Sequence, residues 1–100
     1  MSTRRFTAEL WEHDGSAAWH FLSLPEDDAD DIEARHGGDA AGFGSIKVEV
    51  TVGATTWRTS IFPDTKRGTY VLPVKKAVRQ AEHLAAGDTV DVTLRVVTGS

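Results

Sequence analysis

Between residues 44 and 61 the chain reads "GSIKVEVTVGATTWRTSI", and its alternation leaves little freedom. Ile46, Val48, Val50 and Val52 fall on one side of an extended chain, with Lys47, Glu49 and Thr51 on the other. Successive strand side chains point to opposite faces, so this stretch buries one face and wets the other. Gly53-Ala54 fits a two-residue turn with glycine first. "TTWRTSIF" then returns with Trp57, Thr59 and Ile61 on one side. A hairpin of this kind is stable only when its apolar face finds a cover.

The period recurs along the chain. "RFTAELWEH" carries Phe6, Ala8 and Leu10 on one face, "DGS" at 14–16 turns, and "AWHFLSL" resumes as a second strand. "TYVLPV" reads as a fifth strand whose Pro73 belongs at its edge or its end. "TVDVTLRVV" closes the chain with Val90, Val92, Leu94 and Val96 inward. In the loop "PDTKRG", Pro63-Asp64 can open a type I turn and Gly68 can supply a positive φ.

Two stretches have helical spacing instead. In "LPEDDADDIEARHGG", Pro25 suits the first helical position, acids follow at the positive end of the dipole, and Gly37 can close the far end. Its apolar stripe is Leu24, Ala29 and Ile32. "KKAVRQAEHL" forms a second helix with Ala77, Val78, Ala81 and Leu84 as its buried stripe, stopped by Gly87-Asp88. No internal repeat, low-complexity segment or linker is visible. Six short strands and two short helices predict a mainly β fold, a small closed β-barrel, as one domain over residues 1–100. A chain of this length buries about 60–65% of its unfolded surface, enough for one core.

Composition narrows the chemistry. There is no cysteine, which excludes disulfides and thiolate metal sites. No apolar run is long enough to span a membrane, and "MSTRRFTAEL" has no apolar stretch behind its arginines. These features lead us to expect a cytoplasmic protein. His13, His20, His36 and His83 stand apart without chelating spacing, and the acids of 26–33 lack the glycine and oxygen pattern of a calcium loop. "DTKRGT" resembles the signature of phosphorylated aspartyl enzymes, but this chain has no room for their large domain. No phosphate-binding glycine loop is present, and Ser60 has no nucleophile elbow. We therefore expect no enzyme, metal or cofactor.

Charge is unevenly distributed. Residues 1–50 hold eleven acids and four bases, whereas residues 51–100 hold four acids and seven bases, against a net charge of −4 overall. Five of those bases, Lys66, Arg67, Lys75, Lys76 and Arg79, crowd into "FPDTKRGTYVLPVKKAVRQA". Helical spacing brings Lys75 and Lys76 near Arg79, and lysines at a helix start can join backbone N–H groups in holding one anion. Lys66 and Arg67 can close over the same place, and Trp57-Arg58 can add a stacking surface. The expected ligand is a small anion such as a phosphorylated metabolite or nucleotide.

Three stretches carry a resemblance: "FTAELWEHDGSAAWHFLSLPEDDADDI", "GSIKVEVTVGATTWRTSIFP" and "GTYVLPVKKAVRQAEHLAAGDTVDVTL". Together they resemble the DUF1905 family of small bacterial proteins over about residues 5–97. The family motif falls at Gly68, Leu72, Val74, Lys75, Lys76, Arg79, Gly87 and Asp88. The resemblance implies a double-split β-barrel and no established activity. "LPVKKAVRQAEHLAAGDTVDVTL" is also similar to a unit of swapped-hairpin transcription regulators, which implies a DNA-binding dimer as the alternative. A sequence pI near 5.4 makes nucleic acid the lesser expectation. A protein-interaction module without a small ligand is a third reading, and we expect a monomer or weak homodimer.

Overall fold

A computed structural model of the chain describes residues 3–13, 19–37 and 44–97. Among these residues the six strands are β1 (Thr3–Glu12), β2 (His20–Ser23), β3 (Ile46–Val52), β4 (Thr55–Asp64), β5 (Thr69–Pro73) and β6 (Thr89–Val96). Helix α1 (Glu26–His36) joins β2 to β3, and α2 (Lys76–Ala81) joins β5 to β6. All pairings are antiparallel and close the barrel in the order β1-β2-β5-β4-β3-β6. The predicted barrel is therefore the observed one. Among the described residues no helix is long and apolar enough to cross a membrane.

The alternating valines do what their period requires. Val48, Val50, Val92 and Leu94 are at most 2% exposed and meet Leu10, Leu22, Ile61 and Leu72 in the barrel interior. Gly53, with φ of 58°, opens the two-residue turn that pairs Val52 with Thr55. Pro73 is the last residue of β5, where its missing N–H interrupts no ladder. The expected turn at 14–16 lies outside the described residues.

Each long strand changes partner midway. β1 pairs with β6 through Glu9 and with β2 from Leu10 onward. β4 pairs with β3 through Ile61 and with β5 from Phe62 onward. This is an internal two-fold relation, β1-β2-α1-β3 against β4-β5-α2-β6. Its axis passes the Leu22–Leu72 pair on one wall and the Thr51–Thr93 pair on the other. Related hydrogen bonds confirm it: Leu24 N–H donates to Tyr70 C=O at 3.0 Å and Val74 N–H to His20 C=O at 2.9 Å. No repeat is visible in the sequence because the halves share pattern and not residues. Where α1 begins with Pro25-Glu26, α2 begins with Lys75-Lys76.

Wherever a strand changes partner, a gap opens and the following helix must fill it. α1 fills the first gap with buried Ala29 and Ile32. Arg4 of β1 locks it, reaching Asp31 at 2.6 Å and Asp28 at 3.3 Å with a side chain only 14% exposed. Its Nε is buried without a partner among the described residues. Hydrogen bonds from Arg4 and then Arg35 hold the Asp31 carboxyl below its usual range. A lowered folded pKa contributes stability above the unfolded value near 3.8, and that stability disappears as pH falls through the folded value. Urea midpoints measured from about pH 5 down to about pH 2 should therefore fall less steeply in Arg4→Met than in the unaltered protein. Equal slopes would show that the lock contributes nothing.

The ends of the helices depart from expectation. Pro25 is the N-cap of α1, with ψ of 147°, and not its first helical residue. An extended ψ lets its carbonyl accept from Ala29 N–H at 3.0 Å while the helix starts one residue later. Gly37 caps α1 in a right-handed conformation, φ −57°. Pro63 and Asp64 continue β4, pairing with Tyr70 and Thr69, so no turn opens at Pro63. The loop is instead Thr65–Gly68, pinned by Asp64 Oδ1, which accepts from Lys66 N–H at 3.1 Å, and by Gly68 at φ 68°.

α2 ends at Ala81, short of Leu84. His83 takes φ of 55°, and the N–H groups of His83 and Leu84 return to the carbonyls of Gln80 and Arg79 at 3.4 and 2.8 Å. That is a Schellman closure with histidine in the position glycine usually takes. Leu84 then folds back half-buried onto the core, while Ala77 and Ala81 are exposed and Val78 alone of the helix is buried. Gly87 and Asp88 do not stop the helix. They bracket Leu10, whose C=O accepts from Gly87 N–H and whose N–H donates to Asp88 C=O, and so start β6 alongside β1.

Candidate functional site

The second gap is filled less completely than the first. From Thr55 to Ile61, β4 has β3 on one side and, among the described residues, no strand on the other, because β5 joins it only at Phe62. A helix of six residues burying one valine cannot cover that length. A cleft of about 450 Å³ remains, lined by Trp19, His20, Trp57, Arg58, Thr59, Pro73, Val74, Lys75, Lys76 and Arg79. Among the described residues, no acidic side chain belongs to this lining. In a chain of net charge −4 the segregation is marked, and local potential governs which small ions approach.

Five of the seven residues singled out in the sequence thus share one cleft: Trp57, Arg58, Lys75, Lys76 and Arg79. Lys75 is the N-cap of α2 and Lys76 its first residue, both exposed. Arg79 is half-buried, its Nε donating to Val74 C=O at 3.2 Å. That bond stiffens the guanidinium and aims it, while its terminal amino groups keep no protein partner among the described residues. Arg58 leans toward Glu49, 3.4 Å away, but is 66% exposed, so the contact contributes little. Glu49 answers mainly to Arg95, whose hydrogen bond is the foremost cause holding that carboxyl below its usual range. Trp57 packs half-buried at the cleft floor against the core.

Lys66 and Arg67 lie elsewhere. Both border a separate cleft with Trp11, His13 and Phe21. Arg67 stands 3.9 Å over the Trp11 ring and pairs with Asp64 at 3.3 Å, so its charge is already engaged. Nearness in sequence groups these two with the expected site, but the loop folds them over another strand pair.

Trp19, His20, Thr59, Pro73 and Val74 also line the cleft and are not among the site residues expected from the sequence. Trp19 is 54% exposed and stacks on Phe21, with ring centres 6.0 Å apart and planes 17° from parallel. The available signal is a tryptophan just before a strand, out of phase with the inward Leu22. α2 itself is too short to act as an anion site through its dipole, so the charge here is that of side chains.

The main chain of β4 adds a further element. In a two-residue hairpin the closing pair, Val52 and Thr55, exchanges hydrogen bonds, and the pattern then alternates. Trp57 and Thr59 therefore bond to β3 as Thr55 does. Thr56, Arg58 and Ser60 fall between them and aim N–H and C=O away from β3. Of these three, Arg58 lines the cleft.

Fold and site together define a closed, doubly split β-barrel with a basic, tryptophan-bearing cleft at its under-filled split. Residues 6–94 match the family described as "Domain of unknown function (DUF1905)", and the chain belongs to that family. No curated protein matches the chain.

Proposed function

We propose that this protein is a binding module for a small anionic ligand, a phosphorylated metabolite or nucleotide, held in the cleft between β4, β5 and α2. One observation carries the reading: the described lining combines Arg58, Lys75, Lys76 and Arg79 with two tryptophans and no carboxylate. Near a protein surface, opposite unit charges about 4 Å apart attract by about 4 kcal/mol before desolvation is counted. Several such cations outweigh the long-range repulsion of a weakly acidic protein, which salt screens beyond about 8 Å at physiological ionic strength. The volume lies within the range of about 300–1,000 Å³ that small-molecule sites occupy. The barrel is complete within one chain, which favours this reading over a dimer assembled by exchanging hairpins.

A thermal-shift panel of nucleotides, sugar phosphates and carboxylates tests it. A ligand present at about 100 times its Kd should stabilise the protein by about 2.7 kcal/mol. Lys75→Ala combined with Lys76→Ala should remove that stabilisation, while moving the unliganded stability by no more than about 0.5 kcal/mol per site. Arg79→Ala should also abolish binding, but at a cost of about 1 kcal/mol, since the bond to Val74 C=O is lost with the charge. A panel without a single shift at millimolar ligand would remove the proposal.

A further inference from the structure

We infer that the ligand is a nucleotide, with its base on the open face of Trp19, the base edge on the β4 main chain and the phosphate at Lys75 and Lys76. This inference rests on the anion-binding reading and deepens it. Charge alone would serve any phosphate, but the cleft holds two features that suit a flat heteroaromatic ring. The first is Trp19. Tryptophan is mostly buried in folded proteins, yet this one is 54% exposed at the cleft mouth. Phe21 stacks on one side of the indole, and among the described residues no other ring stacks on it, which leaves a face for a second flat ring.

The second feature is the far edge of β4, unpaired among the described residues, where Arg58 lines the cleft and turns an N–H donor and a C=O acceptor side by side away from β3. A nucleobase edge offers the same two kinds of group in the same plane. The ring face, the ring edge and the phosphate therefore each find a counterpart. A strand of nucleic acid would need successive open rings. The neighbouring Trp11 cannot supply one, because Arg67 already covers it at 3.9 Å. The cleft accommodates one nucleotide.

Calorimetric titration with adenosine, guanosine, cytidine and uridine monophosphates, ribose 5-phosphate and inorganic phosphate tests the inference. Stacking of one base on an aromatic side chain is worth roughly five- to hundredfold in affinity. At least one mononucleotide should therefore bind about tenfold or more tighter than ribose 5-phosphate. Trp19→Ala should bring the two within about twofold, and Trp19→Phe should keep part of the difference. In the unaltered protein, that nucleotide and not ribose 5-phosphate should shift the Trp19 indole N–H resonance, a readout independent of how the variants fold. Equal affinities with an unmoved Trp19 resonance would overturn the nucleotide assignment and leave the anion site standing. No binding by any of these compounds would overturn both.

Discussion

Leu72→Ala should cost about 3 kcal/mol of stability, and Leu22→Ala should cost the same within about 1 kcal/mol. Both leucines are fully buried and face each other across the β2–β5 ladder, on the two-fold axis of the barrel. Each deletion removes buried methyl groups and leaves a void lined by strands held on both sides, which cannot collapse to fill it. A domain of this size has about 5–15 kcal/mol in total, so either change consumes a large share and lowers Tm by about 15 °C. Urea denaturation at unchanged m-value reads the loss directly. The paired cost is the sharper half of the expectation, because it follows from the internal symmetry and from no single contact. A loss below about 1.5 kcal/mol at one leucine and above about 4 at the other would show that the halves are not energetically alike.

Gly53→Ala should cost about 2–3 kcal/mol, although the position is exposed and the added group is one methyl. Two effects combine. Gly53 sits at φ 58°, and a non-glycine residue in left-handed backbone costs about 1–2 kcal/mol. The new Cβ would also run into the Glu82 carboxylate. That carboxylate accepts from Thr55 Oγ1 at 2.6 Å, tying the residue after α2 to the start of β4, and moving it breaks a bond worth about 1 kcal/mol. Glu82→Ala separates the two. In that background Gly53→Ala should cost only the backbone strain, and a double-mutant cycle by chemical denaturation should give a coupling of about 1 kcal/mol. Zero coupling would mean that Glu82 simply swings aside.

What can be read from the sequence follows the range of the interactions involved. Strand periodicity is local and survives into the structure: every inward position expected of Val48, Val50, Val92 and Leu94 is buried. The end of α2 is not legible. Non-glycine residues seldom adopt left-handed φ, though histidine does so more readily than most, and His83 does so where the Schellman bonds and the docking of Leu84 onto the core hold it. The two-fold relation is hidden because its halves are matched by pairing register and not by residue identity. Of the candidate site, Lys75, Lys76 and Arg79 are visible as a local cluster. The place of Trp19 depends on where β4 parts from β5, far along the chain, which no local pattern encodes. The same long-range geometry sends Lys66 and Arg67 to another cleft.

The β1–β6 pairing sets the order of events when the chain is made. Thr3 finds its partner in Arg95, so nearly all of the intervening chain must be synthesised before the two can meet. At about 5–20 residues per second, the N-terminal half of β1 waits roughly 5 to 20 seconds beside a growing chain with its ladder unmade. An unpaired strand edge is a template for another molecule, and charge on such a strand discourages that encounter. Arg5 and Glu9 project outward from this half of β1, where they bury nothing in the finished barrel. Charges at these two positions suit a strand edge that waits unpaired.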